Sequence, residues 1–469
     1  MKPTPTHRTA LVAAPLVAAL SAATLFALAA CQRDANAPAD RATDQQAAAA
    51  PADHSGLTHE PWGLPTPGGA AQPDLSVGPD GRIIISWVTR MGDRNALQYA
   101  TYMGNDTWES APKTIAVGRT LTANWANTPH IVMTENRGLW AHWLQTPPNA
   151  ASPHASDIML TNSRDNGVHW APPVAVNDDG TATEHGFVSM WPATQDTIGI
   201  AWLDGRKTAG AEHQHGANAA KDEHAAHAMK GAAKDEHAKD EHANDAATMT
   251  VRGARFDVDL QRSGDAEIDA TTCDCCGTDA ALTANGPLLV YRDRTDEEIR
   301  DISATHLRAG KWDTPRPVHA DGWKMAGCPL NGPSVGAWGK DVSVAWYTAP
   351  NDKPMLRLAR STDGGNTFAA PIDVDQGAAL QGRVDVAMDG DSTWLVWLRE
   401  DAKGQTVQLA RFTTKDGAKQ QTQLATVSGR GRGTGFPKIA VRNGIAFVVW
   451  TDIVEGQPRL SGMKVAPHG

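Results

Sequence analysis

Asp74-Leu75-Ser76-Val77-Gly78-Pro79-Asp80-Gly81-Arg82-Ile83-Ile84-Ile85-Ser86-Trp87 decides the fold. An alternating strand enters a Gly-Pro-Asp-Gly turn, and a second, apolar strand closes on tryptophan. The phrase returns as Pro129-His130-Ile131-Val132 with Leu139 to Trp143, as Gly332-Pro333-Ser334-Val335 with Val342 to Trp346, and as Pro437-Lys438-Ile439-Ala440 with Ile445 to Trp450. The closing aromatics are Trp87, Trp143, Trp202, Tyr291, Trp346, Trp397 and Trp450. Successive gaps are 51 to 59 residues, apart from one of 89 that holds a low-complexity insertion. That period fits one four-stranded unit; in the first, Leu97 to Met103 and Trp108 onward supply the third and fourth strands. Its repetition predicts an all-β, seven-bladed β-propeller, with six blades as the alternative count. The closing aromatics are read as packing between blades.

The seventh unit has a first strand, a second, and Arg459 to Val465 as a third, with no fourth before Gly469. An uncovered edge invites foreign pairing, so the segment Leu57 to Thr66 is expected to add the missing strand.

Met1 to Arg8 is lightly basic, and the apolar stretch Ala10 to Ala30 stops at Cys31. This resembles a bacterial lipoprotein signal, which implies removal of residues 1–30 and a lipid on Cys31. Gln32 in place of aspartate implies delivery to the outer membrane of the cell envelope, with the lipid as the sole membrane contact. Residues 31–56 are Ala-, Asp- and Gln-rich, have nothing to bury and read as a disordered tether, leaving 57–469 as the propeller. A formal charge of −10 argues against nucleic acid as a partner. A monomer is expected.

Two turns between third and fourth strands are more specific. Ser361-Thr362-Asp363-Gly364-Gly365-Asn366-Thr367-Phe368 follows a Ser-x-Asp-x-Gly-x-Thr-aromatic pattern, and Ser163-Arg164-Asp165-Asn166-Gly167-Val168-His169-Trp170 follows it with one change. These resemble the Asp-boxes (BNR repeats) of sialidase-like propellers, with weaker echoes at Asn105 to Trp108 and Thr414 to Gly417. The aspartate can accept hydrogen bonds from amides of its own turn, and the glycines permit positive φ. The resemblance implies a ligand site on the opposite rim, where first strands start and second strands end. A working sialidase would need three free arginines, a tyrosine nucleophile with its glutamate, and an aspartate acid/base. Only four tyrosines exist, Tyr347 alone near that rim, and the family's Phe-Arg-Ile-Pro motif is missing.

On that rim the sequence places His130, His185, Asp204, Arg206, Arg292, Arg294, Arg300, Arg383, the run Cys273-Asp274-Cys275-Cys276, and Cys328. The four sulfurs read either as two disulfides, one of them from Cys328 to the cluster, or as a thiolate site for a soft metal with His130 or His185 as further ligands. Their spacing fits no usual zinc pattern. The insertion, 208–247, carries His213, His215, His224, His227, His237 and His242, and reads either as a loose metal-recruiting segment or as a solvated expansion without function. The leading expectation is a lipid-anchored binding protein whose rim takes copper or zinc. The alternative is an exo-α-sialidase-like glycoside hydrolase or a glycan-binding lectin. No catalytic residue is assigned.

Overall fold

The computed structural model describes residues 56–150, 152–210, 248–413 and 417–468. Seven antiparallel sheets follow one another along the chain, so the seven-blade count holds over six. The innermost strands are Ala70–Val77, Ile131–Met133, His185–Thr194, Asp279–Thr283, Ser334–Trp338, Leu380–Asp389 and Lys438–Arg442. Each pairs with the following strand, and the third and fourth lie progressively outward. No helix among the described residues is long and apolar enough to cross a membrane. The lipoprotein signal, Cys31, the tether and the six insertion histidines lie outside the described residues.

Blade 7 closes as the unfinished repeat requires. Leu57–Pro61 pairs antiparallel with Gln457–Pro467, Leu57 opposite Pro467 and Pro61 opposite Met463. Leu57 is buried in a cluster with Trp394, Leu424, Val441 and Trp450, between blades 6 and 7. The regularly paired segment is shorter than Leu57 to Thr66: it ends at Pro61, followed by single bonds from the Trp62 amide to the Gly462 carbonyl at 2.9 Å and from the Gly69 amide to the Pro458 carbonyl at 3.0 Å.

The core lies between blades. Trp140, Leu160 and Val176 of blade 2 and its outer segment meet Val188, Ile198 and Trp202 of blade 3. Every closing aromatic is buried. Several also tie neighbouring blades through a polar tip. Trp346 Nε1 donates to Asp321, which follows blade 4, and Trp397 Nε1 donates to Asp375 at the edge of blade 5. The Tyr291 hydroxyl donates to Asp269 of blade 3. Arg357 and Arg399 in turn pair with Asp321 and Asp375.

The turns at Asp363 and Asp165 form the internal hydrogen bonds that their residue pattern predicts. Asp363 accepts from the Asn366 and Thr367 amides at 2.9 and 3.0 Å and from the Thr367 hydroxyl at 2.6 Å. Asp165 accepts from the His169 amide at 2.8 Å. Gly364 and Gly365 take φ of +73° and +84°.

Candidate functional site

Innermost strands of a propeller crowd the axis, and each blade contributes one polar side chain there. They are Asp74, His130, Ser189, Asp279, Ser334, Asp385 and Lys438; all but Asp74 and Ser189 line a cavity of about 70 Å³. These groups knit the ring together. Asp279 accepts from the Val335 amide and Ser334 hydroxyl, and Asp385 from the Ile439 amide, all at 2.8 Å. Lys438 Nζ lies 3.4 Å from Asp385 and 3.9 Å from Asp74. Burial disfavours its charge, but three carboxylates outweigh this and raise its pKa. Burial also raises Asp279 and Asp385.

Above the channel, the loops opening blades 4 and 5 press together. A Cβ on Gly332 would lie 2.1 Å from the Gly277 carbonyl oxygen, so only glycine allows this approach. The contact brings all four body cysteines to one place, as their positions predict. Cys275 and Cys328 form the cross-blade disulfide, their Cα atoms 6.1 Å apart. The other two do not pair: Cys273 and Cys276 are buried free thiols, Sγ to Sγ 3.1 Å. Hydrogen bonding from Cys276 lowers the Cys273 pKa to about 7, with Arg292 and Arg300 assisting. Burial pushes Cys276 well above the usual thiol value.

This corrects the four-thiolate expectation, since two sulfurs are committed to a covalent staple. The histidines do not join the cluster either. His130 Nδ1 lies 3.0 Å from Asp74. His185 Nε2 lies 3.0 Å from Asp179 and 3.8 Å from Asp204. Asp179, His185 and Asp204 could together hold a cation. Arg206 already fills that role, with Nε 2.8 Å from Asp204 and 3.3 Å from Asp179.

The rim arginines are likewise committed within the protein. Arg292 is buried and donates to the carbonyls of Asn331, Arg300 and Tyr347, with its guanidinium 5.0 Å from the Trp323 ring. Arg383 is buried, donates to the Gly431 and Gly435 carbonyls and the Thr434 hydroxyl, and sits 4.9 Å from the Trp125 ring. Burial lowers its pKa to about 10. Arg294 pairs with Glu298 at 2.7 Å and Asp274 at 3.5 Å. Arg300 also binds Glu298, yet its Nη1 is buried without a hydrogen-bond partner among the described residues. Arg292 and Arg383 were expected to face ligand; propeller loops leave many carbonyls unpaired, and these guanidiniums satisfy them instead.

Glu184 was not singled out in the sequence. It ends the loop into blade 3, where Gly205 donates to its backbone carbonyl at 2.9 Å. Its side chain makes no hydrogen bond among the described residues. Burial, helped by the Asp274 charge, raises its pKa to about 7. Its only sequence signal is adjacency to His185 at a first-strand start, which marks rim position but not environment. Trp125 was also missed; it stacks on Phe436 with ring centres 5.9 Å apart.

No family model matches this chain, and no curated protein matches it. Solved structures do. An ulvan lyase, solved bound to -[GlcA(1-4)Rha3S]-, is 12% identical over 75% of this chain and 78% of its own, with a TM-score of 0.42. The polysaccharide lyase Uly1 is 9% identical over 87% and 91%, with a TM-score of 0.47. Trypanosoma rangeli sialidase is 10% identical over 77% and 56%, with a TM-score of 0.41. Likeness at this level carries no argument about activity.

Proposed function

We propose that this is a glycan-handling propeller whose working face is the rim bearing Glu184, Asp274 and Arg294. What supports this is Glu184: a half-buried carboxyl that makes no hydrogen bond among the described residues, its pKa raised to about 7 by burial and by the Asp274 charge. A carboxyl whose environment keeps its proton near neutral pH, set beside a second carboxyl group, is the usual equipment for acid-assisted cleavage of a glycosidic bond. Glu184 would give its proton to a leaving oxygen, while Asp274, oriented by Arg294, faces the developing positive charge. The sialoside-specific form is disfavoured, because Arg292 spends Nε, Nη1 and Nη2 on backbone carbonyls and Arg383 holds three loop oxygens through Nη1.

The test is a panel of neutral, sialylated and uronate-containing polysaccharides, scored for binding and for new reducing ends or unsaturated uronates. Glu184→Gln should retain binding and lose turnover by about 10²-fold or more. A purified protein that neither binds nor cleaves any member refutes the reading. We further propose that Cys31 tethers this propeller to the outer membrane of the envelope. Mass spectrometry of the native amino terminus should then find a diacylglyceryl adduct, and an unmodified Met1 would refute it.

A further inference from the structure

The cross-blade disulfide leaves two sulfurs over. Cys273 and Cys276 are the ends of a Cys-x-x-Cys run, 0% and 1% exposed, and their sulfurs lie within 4.8 Å of that of Cys275. The Cys275–Cys328 bridge and the Gly332–Gly277 contact hold this run against the neighbouring loop. Cys273 is further fixed by its amide, which donates to the Arg292 carbonyl at 3.1 Å. Two thiols are thus immobilised side by side in a dry pocket.

We propose that Cys273 and Cys276 form a two-coordinate site for copper(I). Thiolate sulfur selects soft ions, which excludes calcium and magnesium. Structural zinc takes four ligands, and this group contains no imidazole or carboxylate among the described residues. A soft monovalent ion satisfied by two sulfurs fits what remains. On binding, each thiol releases its proton and the two sulfur–metal bonds form without any change of oxidation state. The resulting bis-thiolate carries one net negative charge, which must be neutralised where water cannot reach. The buried Nη1 of Arg300 has no hydrogen-bond partner among the described residues and leaves a donor to spare for such a charge. Arg292 and Arg300 both lie within electrostatic reach of the Cys273 sulfur. The division of labour differs from the sequence expectation: Cys275 and Cys328 staple, while Cys273 and Cys276 bind.

The experiment uses the full chain under anaerobic conditions, titrated with copper(I) against bathocuproine disulfonate. The parent should hold one equivalent more than a Cys273→Ser/Cys276→Ser variant. Copper-edge absorption spectra of the parent should show two sulfur neighbours for that equivalent, a readout that does not depend on the variant folding. Equal retention by parent and variant overturns the proposal. So does a copper shell with nitrogen neighbours or more than two sulfurs, or a mapped Cys273–Cys276 disulfide that mild reductant leaves closed. None of these outcomes bears on glycan binding, which is scored separately.

Discussion

Leu57→Ala tests the closure of the ring. Leu57 is 2% exposed and belongs to the fourth strand of blade 7, although it lies at the opposite end of the described chain from its partners. The substitution removes the equivalent of three methylenes, about 2.4 kcal/mol of transfer free energy. Trp394, Leu424 and Trp450 are held by their own strands and cannot collapse fully into the gap, so a cavity term brings the total to about 3 kcal/mol. For a domain of this size that corresponds to a fall in Tm of about 4 °C. Thermal unfolding by calorimetry at a fixed scan rate measures it, with Val117→Ala, an exposed outer-strand position in blade 1, as control. A Leu57→Ala protein melting within about 1 °C of that control would show that the first strand is a loose appendage rather than part of the ring.

Replacing Lys438 with methionine removes the cation at the centre of three axial carboxylates. It should cost about 3 kcal/mol at neutral pH, and the deficit should shrink as acid protonates Asp279 and Asp385, measured by urea titration across pH. Asp363→Asn should destabilise at neutral pH. The Asp363 carboxyl is held well below its ordinary value by bonds from Ser361 and Thr367, so its contribution is full above about pH 4 and fades as pH falls below that. Parent and variant converging already at pH 5 would refute this. Glu184 has the opposite sign: the folded state keeps a proton that the unfolded chain releases from about pH 4.5 upward, so ionisation of the unfolded state erodes stability between there and about pH 7. Glu184→Gln should therefore match the parent at pH 4 and exceed it at pH 8, and a constant difference across that range would rule the assignment out.

The fold was legible because period-two alternation and a closing aromatic are local signals, repeated until their spacing was unmistakable. Closure by Leu57 was legible for a related reason, since an unfinished repeat leaves an edge that only another strand can cover. The meeting of the four cysteines followed from blade topology. Which sulfurs pair did not, because Cys275 rather than Cys273 or Cys276 faces Cys328 through a loop geometry set by Gly332 and Gly277. Charge on the rim misled. Arg292 and Arg383 read as ligand-facing because sequence displays a side chain's charge but not the loop carbonyls around it. Glu184 went unnoticed for the complementary reason, as its character comes wholly from burial and from Asp274.

Ring closure also sets an order in time. The Thr58 hydroxyl bonds the Ala466 carbonyl across a separation of 408 residues. During synthesis, blades 1 to 6 can each complete themselves from sequence already made, but Leu57–Pro61 must wait for Gln457–Pro467. Until then one strand has no partner, and the cost of bringing such distant segments together delays the last step. Blade 7 is therefore expected to close last, leaving the nascent ring open at that seam while the other blades are already complete. A chaperone or a stray β-edge acting on this chain would find its opening there, and nowhere that the finished structure reveals.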